Sequence, residues 1–91
     1  INGGGGNDVL NGGRGNDIFI FNAGWGADTI EDFQRGKDKI DFVGVSGLVS
    51  FSSLAITSSA AGAVVAFDGQ SITLKGIAAT SLAASDFLFH I

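Results

Sequence analysis

Two consecutive nine-residue units near the start of the chain constrain its fold more than any other feature. Gly3-Gly4-Gly5-Gly6-Asn7-Asp8-Val9-Leu10-Asn11 runs directly into Gly12-Gly13-Arg14-Gly15-Asn16-Asp17-Ile18-Phe19-Ile20. Both read Gly-Gly-x-Gly-Asn-Asp-apolar-apolar-x. After two inserted residues a third copy follows, Ala23-Gly24-Trp25-Gly26-Ala27-Asp28-Thr29-Ile30-Glu31, which loses the first glycine. A fourth, Phe33-Gln34-Arg35-Gly36-Lys37-Asp38-Lys39-Ile40-Asp41, keeps one glycine, the aspartate and the apolar residue two places on. Aspartates therefore recur at 8, 17, 28 and 38, and large apolar residues at Leu10, Phe19, Ile30 and Ile40. Such a period describes a stack of identical turn-and-strand units, each of which hides its apolar side against its neighbours.

Each unit divides into a six-residue turn and a three-residue strand. The glycines admit positive φ angles, which lets the turn bring backbone carbonyls to a common point. The aspartate closes the turn with a carboxylate. The apolar residue two places later faces the interior, because side chains alternate along a strand. Clustered carbonyl and carboxylate oxygens are the hard donors that Ca²⁺ selects.

Composition narrows the alternatives. A 91-residue chain forms one small domain, and such a domain buries only roughly 60–65% of its unfolded surface. Small domains gain stability from disulfides, metals or partners. Cysteine is absent, which excludes disulfides and the usual structural zinc sites. An oxygen-loving metal remains. The net charge of −4 argues against nucleic acid and anionic membranes as partners, and the apolar runs are far too short to insert in a bilayer. Eight phenylalanines accompany 15 glycines, so a packed core is expected rather than a flexible linker. The chain starts inside a repeat and shows no signal peptide, which reads as a piece of a larger protein.

The units resemble the Gly-Gly-x-Gly-x-Asp-x-apolar-x nonapeptides of RTX (hemolysin-type) proteins, and residues 28–42 resemble the segment that closes the repeat array in that family. The resemblance implies an all-β fold: a short right-handed parallel β-roll over residues 1–42, continuing into a C-terminal β cap over 43–91 as one continuous domain. In such a roll the turns alternate between two edges. The resemblance then sets the Asp8 turn on the Asp28 turn, and the Asp17 turn on the one near Asp38. It implies about two Ca²⁺ ions. One would use carbonyls of Gly3, Gly5, Gly24 and Gly26 with Asp8 and Asp28. The other would use carbonyls of Gly12 and Arg14 with Asp17, and Asp38 with Asp32 on its far side. Two carboxylates about 6 Å apart repel by roughly 3 kcal/mol at an effective dielectric near 20, a cost that a bound cation reverses.

The remaining residues invite structural readings. Glu31 and Asp41 alternate with Ile30 and Ile40 and read as solvated strand positions. Arg35, Lys37 and Lys39 lie among acids and balance charge on a solvated face. Trp25 reads as a cap on the core, although a tryptophan in a turn is also able to stack on a sugar. His90 stands alone and receives no role. Serine is plentiful, but no catalytic triad or paired acids in a pocket can be assembled.

From Val43 onward the acids are only Asp68 and Asp86, and the sequence reads as a packed cap. Strands are expected at Leu54 to Thr57, Ala63 to Phe67 and Ser71 to Leu74, the last two joined by a hairpin turn at Asp68-Gly69. Val45 to Phe51 and Thr80 to Ser85 read as short helices or turns. Asp86-Phe87-Leu88-Phe89 resembles the C-terminal end of RTX proteins exported by the type I pathway and reads equally as a final core strand.

Three functions follow as expectations. The first is a non-catalytic module that binds Ca²⁺, folds outside a bacterial cell, and supports secretion and stability of a larger exported protein. Its partners would be the type I secretion machinery and an upstream domain of the same chain. The second is a module that binds an alginate-like polysaccharide through Trp25, Arg14, Arg35 and Lys37. The third is the terminal domain of a secreted metalloprotease or lipase.

Overall fold

A computed structural model of the chain describes residues 7–13, 15–22, 24–34, 37–45 and 51–90. Its strands are β1 (Val9–Leu10), β2 (Ile18–Asn22), β3 (Ala27–Ile30), β4 (Lys39–Val43), β5 (Ala55–Ser58), β6 (Gly62–Phe67), β7 (Gln70–Lys75) and β8 (Phe87–His90). Short 3-10 turns occupy Phe51–Ser53, Ala79–Ser81 and Ala84–Asp86. No α-helix occurs among the described residues, and the fold is all-β. The repeat strands range from two residues in β1 to five in β2 and β4, so the expected three-residue strand varies from unit to unit.

Successive repeat strands go to different sheets. β1 and β3 lie in a five-stranded sheet of order β1-β3-β7-β6-β5, and β2 and β4 in a three-stranded sheet of order β2-β4-β8. β1, β3 and β7 run parallel to one another, as do β2, β4 and β8. The β5-β6-β7 segment is antiparallel, which makes the larger sheet mixed. The repeat length sets the register. Val9 pairs with Thr29 and Ile18 with Lys39, separations of two units plus the inserted residues. Each partner in a sheet is therefore the next unit but one.

The second half adds a further parallel strand to both sheets, beyond the last repeat strands. β7 continues the larger sheet beside β3, and β8 continues the smaller one beside β4. The β6–β7 hairpin turns at Asp68-Gly69, with φ of 51° and 78°. Positive φ at both central residues is the primed turn that matches strand twist. The three expected cap strands are all present, shifted by about one residue at their ends. The final segment is a core strand, with Phe87 buried. Of the expected turn at Val45 to Phe51, only Val45 and Phe51 are described.

Alternation places one side of each strand in the core. Leu10, Phe19, Ile30 and Ile40 all point inward, the last three with no exposed surface. Phe21, Trp25, Phe42 and Phe87 join them, with Phe42 stacked against both Phe87 and Phe89 at centroid separations of 6.2 and 5.7 Å. Burying each large apolar side chain contributes roughly 1.5–3 kcal/mol. Rings from both halves meet on Phe42, so the halves share one core. Trp25 is 1% exposed and gives its indole N–H to Ser71 O. It caps the core and offers no ring face to a sugar.

Candidate metal centre

The turns that precede the repeat strands form the edges of the two sheets. On the first edge, the Asp8 backbone N–H donates to Asp28 Oδ1 at 2.8 Å. On the second, the Asp17 N–H donates to Asp38 Oδ1 at 2.9 Å. One contact recurs on both edges: a rung's aspartate carboxylate receives the N–H of the aspartate in the rung beside it. The glycines hold the turns in shape. Gly13 and Gly15 of the second unit, and Gly24 and Gly26 of the third, have φ between 78° and 87°. These are the second and fourth positions of the frame, where an L side chain would be strained.

The second carboxylate oxygens divide the acids into two kinds. Asp8 Oδ2, Asp17 Oδ2 and Asp28 Oδ2 are buried with no hydrogen-bond partner. Leaving a buried charged acceptor unmatched costs about 1–3 kcal/mol or more. Asp28 is 2% exposed. Burial pushes its carboxyl above the usual aspartate range; the hydrogen bond from Asp8 N–H opposes this, and the negative charge of Asp8 adds to it. The other two acids are satisfied. Asp38 is fully buried, and its Oδ2 accepts the Gln34 N–H at 2.9 Å. Asp32 accepts Gly12 N–H and Gly13 N–H at 2.8 and 2.7 Å.

The backbone around these acids is close. A Cβ on Gly12 would come within 2.6 Å of Asp17 Oδ2, so the unmatched oxygen lies directly against the glycine turn. The Gly26 carbonyl already accepts Ser71 N–H at 3.0 Å, which leaves it only one lone pair for a further partner. Gly3, Gly5 and Arg14 lie outside the described residues. Among the described residues no three acidic or imidazole side chains converge on one point. A cation here would rest on one or two carboxylates together with carbonyls, a donor set suited to Ca²⁺. The unmatched oxygens fit that ion.

A model of the family described as Peptidase M10 serralysin C terminal matches residues 1–91. The chain belongs to the serralysin C-terminal family. This family is RTX-like, so the hemolysin-type resemblance read on residues 3–42 is compatible with it but coarser, and the serralysin match takes in the hairpin and the last strand as well. Comparison with curated proteins found no match.

Several partners were not evident in the serralysin C-terminal sequence. Gln70 Oε1 accepts Gly24 N–H and, at 2.9 Å, Trp25 N–H. His90 Nδ1 lies 2.6 Å from Asp41 Oδ1, so the residue given no role pairs with one read as solvated. Lys39 donates to Ser85 O at 2.6 Å, fastening the turn before β8. Lys37 is exposed, and Arg35 lies outside the described residues. An apolar groove lined by Phe51, Leu54, Ile56 and Ala79 carries hydroxyls but no acid or imidazole.

Proposed function

We propose that this chain is a non-catalytic calcium-binding module of a secreted M10 metalloprotease, folding on Ca²⁺ outside the cell and stabilising the larger protein. The carrying observation is the trio of buried, unmatched oxygens on Asp8, Asp17 and Asp28, placed at neighbouring rungs. About two ions are proposed. Asp8 and Asp28, with carbonyls of Gly3, Gly5, Gly24 and Gly26, would hold one. Asp17, with the carbonyls of Gly12 and Arg14, would hold the other on the turns that Asp32 and Asp38 border. Bound Ca²⁺ supplies the positive charge that makes the buried carboxylates favourable. Alternation of repeat strands between two parallel ladders supports a right-handed β-roll over the repeats.

Family membership supports a protease parent whose catalytic zinc domain lies elsewhere in that larger protein. Cytosolic calcium is scarce, so an unneutralised acidic stack favours the unfolded chain that a type I exporter threads; extracellular calcium then drives folding. The C-terminal segment resembling an export signal becomes β8 in the folded state. Calorimetric titration of the purified chain tests the metal reading. About two Ca²⁺ ions should bind, with Mg²⁺ a poor competitor because it demands rigid octahedral geometry. Absence of calcium binding would refute it.

A further inference from the structure

We infer that Asp32 and Gln70 are matched positioning residues, each shaping one glycine turn for its cation; this rests on the calcium reading above. Both lie outside the repeated frame. Asp32 accepts the successive N–H groups of Gly12 and Gly13, in the turn that ends at Asp17. Gln70 accepts the successive N–H groups of Gly24 and Trp25, in the turn that ends at Asp28. Gln70 is itself held, its amide N–H reaching Phe67 O across the hairpin at 3.4 Å. The same device thus serves one turn on each edge.

Peptide planarity explains what such a clamp does. The Gly13 N–H and the Gly12 carbonyl share one trans peptide unit and point in opposite directions. Fixing that N–H on Asp32 turns the Gly12 carbonyl away from Asp32. In the same way, fixing Trp25 N–H on Gln70 turns the Gly24 carbonyl away from Gln70. Gly12 and Gly24 are two of the proposed carbonyl donors. The clamps therefore set donor direction within the folded turn, so that the cation meets carbonyls already aimed. The neutral clamp serves the edge with two unmatched carboxylates, and the charged clamp serves the edge with one.

The test uses the whole chain with Asp32→Ala and Gln70→Ala. Each is titrated with Ca²⁺ in the native background and with the other edge disabled by Asp28→Asn or Asp17→Asn. Outer partners of metal sites typically influence affinity by roughly 10- to 100-fold. Asp32→Ala should weaken the Asp17 edge by that factor and spare the Asp28 edge; Gln70→Ala should do the reverse. Asp32→Asn, which keeps an oxygen acceptor, should recover part of the loss. Equal weakening of both edges, or no weakening of either, would overturn the inference. So would loss of one whole ion from the stoichiometry of Asp32→Ala, which would make Asp32 a ligand. Amide exchange in EGTA, below the melting temperature of the metal-free chain, judges the clamps without metal: Gly12 and Gly13 should lose protection in Asp32→Ala, and Gly24 and Trp25 in Gln70→Ala. Wild-type protein that binds no calcium, together with variants that show these losses, would refute the calcium reading and leave the clamps standing as turn locks. Unchanged protection would refute the clamps alone.

Discussion

The two turn edges share a register and one hydrogen bond, yet they leave different chemistry behind. On the edge of Asp8 and Asp28, both aspartates keep a buried oxygen without a partner. On the edge of Asp17 and Asp38, only Asp17 does, because Asp38 gives both oxygens to backbone N–H groups. Equivalent positions in a repeat therefore do not perform equivalent work. A carboxylate whose two oxygens both accept N–H groups serves as a strut, and one with an unmatched buried oxygen carries a charge that a cation would neutralise. The Asp8–Asp28 edge should bind calcium more tightly, since it has the greater unmet charge.

The largest effect is expected at the strut. Asp38→Ala strips the acceptor from Asp17 N–H and Gln34 N–H, a loss of about 3 kcal/mol and on the order of 15 °C in melting temperature. A strut is lost with or without metal, so the drop should be similar in calcium and in EGTA. A drop seen only in calcium would make Asp38 a ligand and erase the distinction between the edges. Next comes Gly12→Ala, whose new methyl meets Asp17 Oδ2 at 2.6 Å and Phe19 Cζ at 2.9 Å. Overpacking of this kind costs about 2 kcal/mol, and calcium titration should locate the damage on the Asp17 edge. Gly13→Ala meets no atom within 4 Å but sits at φ 78°, and its cost should be about 1 kcal/mol.

Asp28→Asn gives a smaller change with a diagnostic sign. It removes a buried charge and its repulsion with Asp8, so thermal scans in EGTA should show melting a few degrees above wild type. In saturating calcium the order should invert. The least effect is the pH response of the metal-free protein. The folded-state pKa of Asp28 is raised, chiefly by burial. Its contribution to stability is fully present below the unfolded pKa, near 3.9, and is lost as pH rises through the folded value. Scans from pH 4 to 7 in EGTA should show wild type losing stability relative to Asp28→Asn. A constant difference would contradict the charge assignment at this edge.

Much of the fold was legible because the repeat is local and periodic. The nine-residue frame with its two-residue insertion implied the rungs that face each other, and alternation identified Leu10, Phe19, Ile30 and Ile40 as core. Asp68-Gly69 marked a hairpin because few residue pairs accept positive φ twice. The rest depends on contacts without a sequence period. That β7 and β8 would extend the two parallel ladders left no local mark, since parallel partners have no connecting turn to announce them. Asp32 reads as one acid among several, and only its two N–H partners, about twenty residues away, distinguish it from Asp17. Gln70 lies 46 residues beyond Gly24, beside a hairpin turn in a segment that reads only as a packed cap.

The central claim is that calcium, by neutralising the unmatched carboxylates, drives this chain to fold. Its most direct test is the melting temperature of the wild-type chain in EGTA and in millimolar calcium. Two sites each filled at 100 times Kd would add roughly 5 kcal/mol, which for a domain of this size is a rise of roughly 20 °C or more. The same melting temperature in both solutions would contradict the account.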